Sequence, residues 1–219
     1  MKSQQSGFTL VEIAIVLVII GLLLGGILKG QELINSAKVK NLANDFRTVP
    51  TYIYAYQDKF KALPGDDAQV VAHVAGSTLG TGGTAGNGVI EGAWNAGETT
   101  TVESNVFWQH VRLANLAAGP TALAAGFGPT NAVGGRIGIN SAVTSPVNQV
   151  QITNMTGTYQ VCSAGILGKF AKQLDVQMDD GNETTGSMRA VPDGSAIPTA
   201  AVAITSAQES NPYTVCMTF

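Results

Sequence analysis

The chain has 219 residues, of which only 12% are charged, with a formal net charge of −3 and no basic block. That balance argues against a nucleic-acid partner or a patch for acidic lipid, and the length holds one ordinary domain plus an anchor. Abundant Gly, Ala and Thr beyond residue 28 imply a low-charge exterior suited to packing against other copies.

The first seven residues, Met1 to Gly7, are polar with one positive charge and lead directly into an apolar run. From Phe8 to Leu28 there are 21 residues, and Glu12 is the only ionisable one. At about 1.5 Å per residue the run spans roughly 30 Å, one hydrocarbon core. A secretory signal would have its small-residue cleavage site after the run, and no A-x-A pattern follows Leu28, so the apolar segment is expected to stay. Glu12 is the anomaly, because a carboxylate in a spanning helix costs on the order of a few kcal/mol and calls for a partner. A plain anchor whose Glu12 snorkels to the interface is the simplest alternative.

Gly7 followed by Phe8, Thr9, Leu10, Val11 and Glu12 and then a spanning run resembles the class III leader and N-terminus of type IV pilins and type II secretion pseudopilins. The resemblance covers residues 1 to about 35. It implies cutting between Gly7 and Phe8 by a prepilin peptidase that also methylates the new amine of Phe8. It further implies a helical filament of many copies, driven by an inner-membrane assembly platform and its ATPase motor. In such a bundle Glu12 would meet the Phe8 amine of a neighbouring copy, two costly charges offsetting each other and fixing axial register. Many type IV pilins carry a proline near the end of the spanning run, where this chain has Lys29. Local melting there would rest on Gly21, Gly25, Gly26 and Gly30, each lowering helix propensity by up to about 1 kcal/mol.

After Lys29 the sequence turns amphipathic. Val39, Leu42, Phe46, Val49, Ile53, Tyr56 and Phe60 alternate in steps of three and four, one apolar stripe on a helix, while Lys38, Lys40, Asp45, Arg47, Asp58 and Lys59 fall off it. The pattern predicts a single helix from Phe8 to about Ala62, some 80 Å long, whose second half lies on a globular domain. Pro50 predicts a kink near Val49. Leu63 to Asp67, containing Pro64 and Gly65, ends the helix, and a globular domain over 63–219 begins there.

Residues 76–97 contain eight glycines and read as a surface loop or irregular hairpin. Gly86 to Glu91 has the look of the middle of an EF-hand loop, but Gly83, Ala85 and Trp94 occupy the positions of the first, third and last ligands, so the site fails by count. Thr100 and Glu103 have capping-box spacing ahead of Val102, Val106, Leu113 and Leu116, predicting a helix over about 102–118. His73 and His110 lie in no HxxxH or HxxE pattern and read as structural or surface residues.

Arg136 to Ile139, Asn148 to Ile152 and Thr158 to Cys162 predict short strands, and Ser163 a cap for a third helix with Ile166, Leu167, Phe170 and Leu174 on its apolar face. Strands at about 200–205 and 213–217 would complete a small antiparallel sheet, giving an α+β fold: a long N-terminal helix on a sheet domain with short helices and long loops. Cys162 and Cys216 lack metal-site spacing and read as a disulfide closing about 55 residues, worth roughly 4 kcal/mol in an oxidising compartment. Two unrelated buried thiols are the alternative. Asp179, Asp180, Gly181, Asn182 and Glu183, with Asp175 one turn earlier, make the densest acidic cluster, with Asp179, Asp180 and Asn182 its candidate metal ligands. It reads as a solvated polar turn, with Ca²⁺ the candidate ligand and no other cofactor expected.

No GxSxG, phosphate loop, HExxH or dinucleotide fingerprint occurs. The leading expectation is a non-enzymatic structural subunit of a pilus-like filament, held in the inner membrane before assembly and on the surface or in the periplasm after it. A type II secretion pseudopilin is the alternative in that class. A membrane-anchored extracytoplasmic binding protein or enzyme that never polymerises is the alternative outside it.

Overall fold

A computed structural model of the chain describes residues 9–143 and 150–219. The chain divides into two units, residues up to Lys38 and Val39–Phe219, with the boundary inside helix α1 (Leu10–Phe60). In the first unit no described residue is buried. Leu, Ile and Val occupy all sides of the helix there, so no single face is set apart for a core. A Lys29–Glu32 ion pair of 2.7 Å follows the apolar run; exposed on both sides, it contributes little.

In the second unit the predicted stripe is the buried face of α1: Val39, Leu42, Phe46, Val49, Ile53 and Tyr56, joined by Ala43. Phe60 is half-buried at its end. Pro50 lies inside α1 without ending it. The helix stops at Phe60, Lys61 adopting the left-handed conformation (φ 56°) that closes the last turn. Gly65 then turns back at φ 93°, where any Cβ would press on the Glu103 carbonyl at 2.7 Å.

A one-turn helix α2 (Val70–His73) follows, and then a long irregular segment leading to α3 (Glu103–Leu113). The segment 76–97 is not a pure surface loop: Ile90, Glu91 and Trp94 are buried in it. The Thr100/Glu103 capping box does not form. Val102 is the N-cap residue of α3 without a side-chain cap, the Thr100 hydroxyl turns back to the Gly97 carbonyl, and Glu103 is buried. Helix α3 ends five residues before the expected boundary because Asn115 takes a left-handed conformation (φ 60°).

The sheet has four antiparallel strands in the order β1 (Ile137–Ser141), β2 (Tyr159–Leu167), β4 (Pro212–Thr218), β3 (Met188–Pro192). The fold is α+β, as expected from the sequence. Strand β2 runs past Cys162 through Ile166 and Leu167, so Ser163 caps no helix; its hydroxyl accepts a bond from Asn131 Nδ2 instead. Helix α4 (Gly168–Met178) starts after Leu167, and Phe170 and Leu174 remain on its buried face. The expected strand at 200–205 is absent. That segment touches β3 through one bond, Val202 N–H to the Ala190 carbonyl, before a short 3₁₀ turn at Ser206–Gln208. The place beside β4 belongs to β3. Of the expected strand 148–152, residues 148 and 149 lie outside the described residues, and Ile152 makes only an isolated bridge to Thr199.

Cys162 and Cys216 are direct cross-strand partners on β2 and β4 and form the disulfide. The bond therefore joins two central strands, whereas the sequence placed it at the start of a helix. It sits in a small core with Trp94, Ile152, Met155 and Val191.

Candidate functional site

Gly7 and Phe8, the expected cleavage and methylation residues, lie outside the described residues. Glu12 is described, and its surroundings carry a feature the motif reading missed. Thr9 precedes the first helical residue and Glu12 is the third residue of α1. The Thr9 N–H and hydroxyl both donate to Glu12 Oε2, at 2.8 and 2.7 Å, and the Glu12 N–H donates to Thr9 Oγ1 at 3.3 Å. This is a reciprocal capping box. Its T-x-x-E spacing at Thr9 and Glu12 is visible in the sequence once the helix start is known. The carboxylate also lies at the positive end of the helix dipole. Beyond it, Leu10, Val11, Ile13, Ile15 and Val16 begin an exposed apolar surface that continues through Leu28. Helix α1 is long and apolar enough there to cross a membrane. Residues 2–28 match the family model of the prokaryotic N-terminal methylation motif. The chain carries the class III leader of type IV pilins and pseudopilins. No curated protein and no solved structure matches the chain. The leader match stops at Leu28.

Two polar centres lie in the second unit near the turn after α1. Asp67 Oδ2 accepts the Tyr56 hydroxyl at 2.8 Å and lies 2.7 Å from His73 Nδ1, while Phe60 stacks on the His73 ring. Burial and the Asp67 carboxylate hold the Tyr56 phenol well above its usual range. His110, fully buried, accepts the Gly65 N–H at Nδ1 (2.9 Å), which leaves Nε2 to donate to the Thr78 carbonyl at 2.8 Å. Burial pushes the His110 imidazole below its usual value, so this tautomer is neutral. Each histidine ties the turn after α1 to a neighbouring segment, a structural use of the ring.

In the Gly86 to Glu91 stretch it is backbone N–H groups that converge. The N–H groups of Gly86, Asn87 and Gly88 all point at the Asp66 carboxylate, Gly88 at 2.7 Å, so the turn is a cradle for an anion. Burial raises the Asp66 carboxyl, and the three N–H groups act against it.

At the end of α4, ligand oxygens of Asp175, Asp179 and Asp180 lie within 4.8 Å of one another. Asn182 is not aimed at them; its Oδ1 accepts the Thr184 N–H and hydroxyl. Asp179 accepts Met188 N–H and Asp180 accepts Asn182 N–H and the Thr185 hydroxyl, so the turn closes on its own bonds. Asp175 is buried, and burial pushes its carboxyl up to about 6. The described residues gather Asp175, Asp179 and Asp180 there, and Asn182 is not among them.

Proposed function

We propose that the chain is a structural subunit of a type IV pilus-like filament, assembling through its N-terminal helix. The observation that carries this reading is the methylation motif at residues 2–28 joined to a helix whose described residues up to Lys38 are all unburied. An apolar surface without a core in its own chain needs lipid or other copies of itself. In lipid the segment is an anchor held in the inner membrane. In a filament the same side chains pack against neighbouring helices, and Glu12 is offered to the free amine of Phe8 on an adjacent copy. The partners are a prepilin peptidase that cuts after Gly7 and methylates Phe8, and an assembly platform with its ATPase motor. A pseudopilin of a secretion system uses the same leader and core, and the filament's length and location separate the two. The reading requires no cofactor and no catalytic residue.

Mass spectrometry of the mature N-terminus checks the leader. The expected chain begins at N-methylated Phe8, while a start at Met1 or beyond Leu28 would remove the basis of the assignment.

A further inference from the structure

Three carboxyls are buried around the glycine-rich segment 80–92: Asp66, Glu91 and Glu103 are 2%, 6% and 0% exposed. None forms an ion pair among the described residues. The Asp66 charge is met by its three N–H groups. Glu91 and Glu103 are met only in part. Asn87 Nδ2 donates to Glu91 Oε1 at 2.8 Å, and the Glu91 N–H donates to Glu103 Oε2 at 2.9 Å. The second oxygen of each, Glu91 Oε2 and Glu103 Oε1, is buried without a hydrogen-bond donor among the described residues.

The Glu103 carboxyl sits on the Glu91 backbone N–H, so the two buried residues are direct neighbours. Two ionised carboxylates have no proton to offer and repel, whereas one proton on the pair removes the second charge and supplies a donor. A metal is the other way to neutralise buried acids, and the N–H cradle argues against it. Asp66 faces amide donors, which removes it as a ligand and leaves two carboxyls, few for a hard cation that takes six to eight oxygens. The other titratable groups nearby are Asp66 and Asp67 after α1, His110 on α3 and Tyr159 on β2, whose phenol is raised by burial and by Asp66. With His110 held neutral, none of these supplies positive charge.

The glycines explain how the acids come so close to the backbone. A Cβ at Gly83 would overlap the Glu91 carboxyl, and one at Gly80 would come 2.6 Å from Glu103 Cγ. The Ser104 N–H donates to the Glu91 carbonyl at 3.0 Å, and the Glu103 N–H to the Thr81 carbonyl at 3.2 Å, so the segment and the start of α3 are bonded along their backbones.

We propose that Glu91 and Glu103 share one proton as a buried acid–carboxylate pair, and that this pair is an alkali-opened clamp holding segment 80–92 against the N-terminus of α3. Burial first, and the Glu91 and Asp66 charges after it, push the Glu103 carboxyl from its ordinary 4.5 up to about 8. The folded chain therefore keeps a proton that the unfolded chain loses above 4.5. Stability falls as pH rises from there to about 8, then levels off, and above that point the folded clamp itself is charged.

The test compares detergent-solubilised full-length protein with Glu103→Gln, whose amide supplies a permanent donor. The ratio of the two unfolding constants, wild type over variant, is expected to rise by about tenfold per pH unit between pH 5 and 8 and to level off above. Hydrogen exchange of amides in segment 80–92, corrected for its intrinsic pH dependence, is expected to accelerate above pH 8 in wild type only. If that variant does not fold, Glu91→Gln serves the same comparison, and infrared spectra of wild type read the buried acid directly. A protonated carboxyl band present at pH 7 and lost by pH 9 is the expected result. Identical pH profiles in wild type and variant, or no such band, would overturn the proposal. So would a rise in stability with Ca²⁺ that Glu103→Gln abolishes, which would assign the pair to a cation.

Discussion

Glu12→Ala is expected to remove the chain from filaments while leaving it in the membrane with its second unit folded. The carboxylate caps α1 and, in the proposed filament, also meets the Phe8 amine of a neighbouring copy. Its bonds to Thr9 cap α1, and losing a cap costs about 1 kcal/mol, too little to unravel a 51-residue helix. Insertion into lipid becomes easier, since a charge costing on the order of 3 kcal/mol is gone. In the proposed filament, what is lost is the counter-charge for the Phe8 amine of the neighbouring copy, which would leave one buried charge unpaired in every subunit of the bundle. Breaking a buried pair from one side typically costs about 3–5 kcal/mol. Glu12→Gln separates the two roles: it retains an oxygen for Thr9 but no charge. Assembly is expected to fail in both variants, as read by the amount of this chain in sheared fibres against the amount in membranes. Filaments of wild-type abundance from Glu12→Gln would mean that capping, not pairing, is the role of this residue.

Replacing both cysteines, Cys162→Ala with Cys216→Ala, is expected to lower the stability of the Val39–Phe219 unit by about 4 kcal/mol. The sequence separation of 54 sets that figure, because the bond removes the closure entropy of a long loop from the unfolded chain. Both residues are fully buried between β2 and β4, so the substitution also removes packing against Trp94 and Met155. Against a typical domain stability of about 5–15 kcal/mol this is a large fraction. Urea unfolding of the oxidised protein and the double variant measures it, and equal midpoints with equal slopes would contradict it. A bond of this weight also fits a domain that matures in an oxidising compartment.

The parts of the fold that were legible in the sequence are those where one physical pattern dominates. The stripe from Val39 to Tyr56 and the apolar run before it fixed α1 to within two residues at each end, since burial and helical period agree over many turns. Strands β1 and β4 also followed from short apolar runs. The errors fall where local chemistry was outvoted by tertiary contacts. Thr100 and Glu103 have the spacing of a cap, but Glu103 is drawn into the interior beneath the glycine-rich segment. Ser163 resembles a helix start, yet pairing with β4 carries the strand through to Leu167. Strand β3 is only five residues long and ends in Pro192, too short to stand out from the turns around it. At the N-terminus Glu12 was legible as a special residue and Thr9 was not, because the cap depends on where the helix begins. The buried carboxyls were invisible as a group: Asp66, Glu91 and Glu103 are far apart in sequence, and only the fold of segment 80–92 brings them together.

The most direct test of filament assembly is electron microscopy of fibres sheared from cells, labelled with an antibody against the Val39–Phe219 unit. The expected result is label along the length of the fibres in wild type, and fibres lacking it when the chain carries Glu12→Ala. Label confined to the membrane fraction, with none on fibres of any length, would contradict the assignment of this chain as a filament subunit.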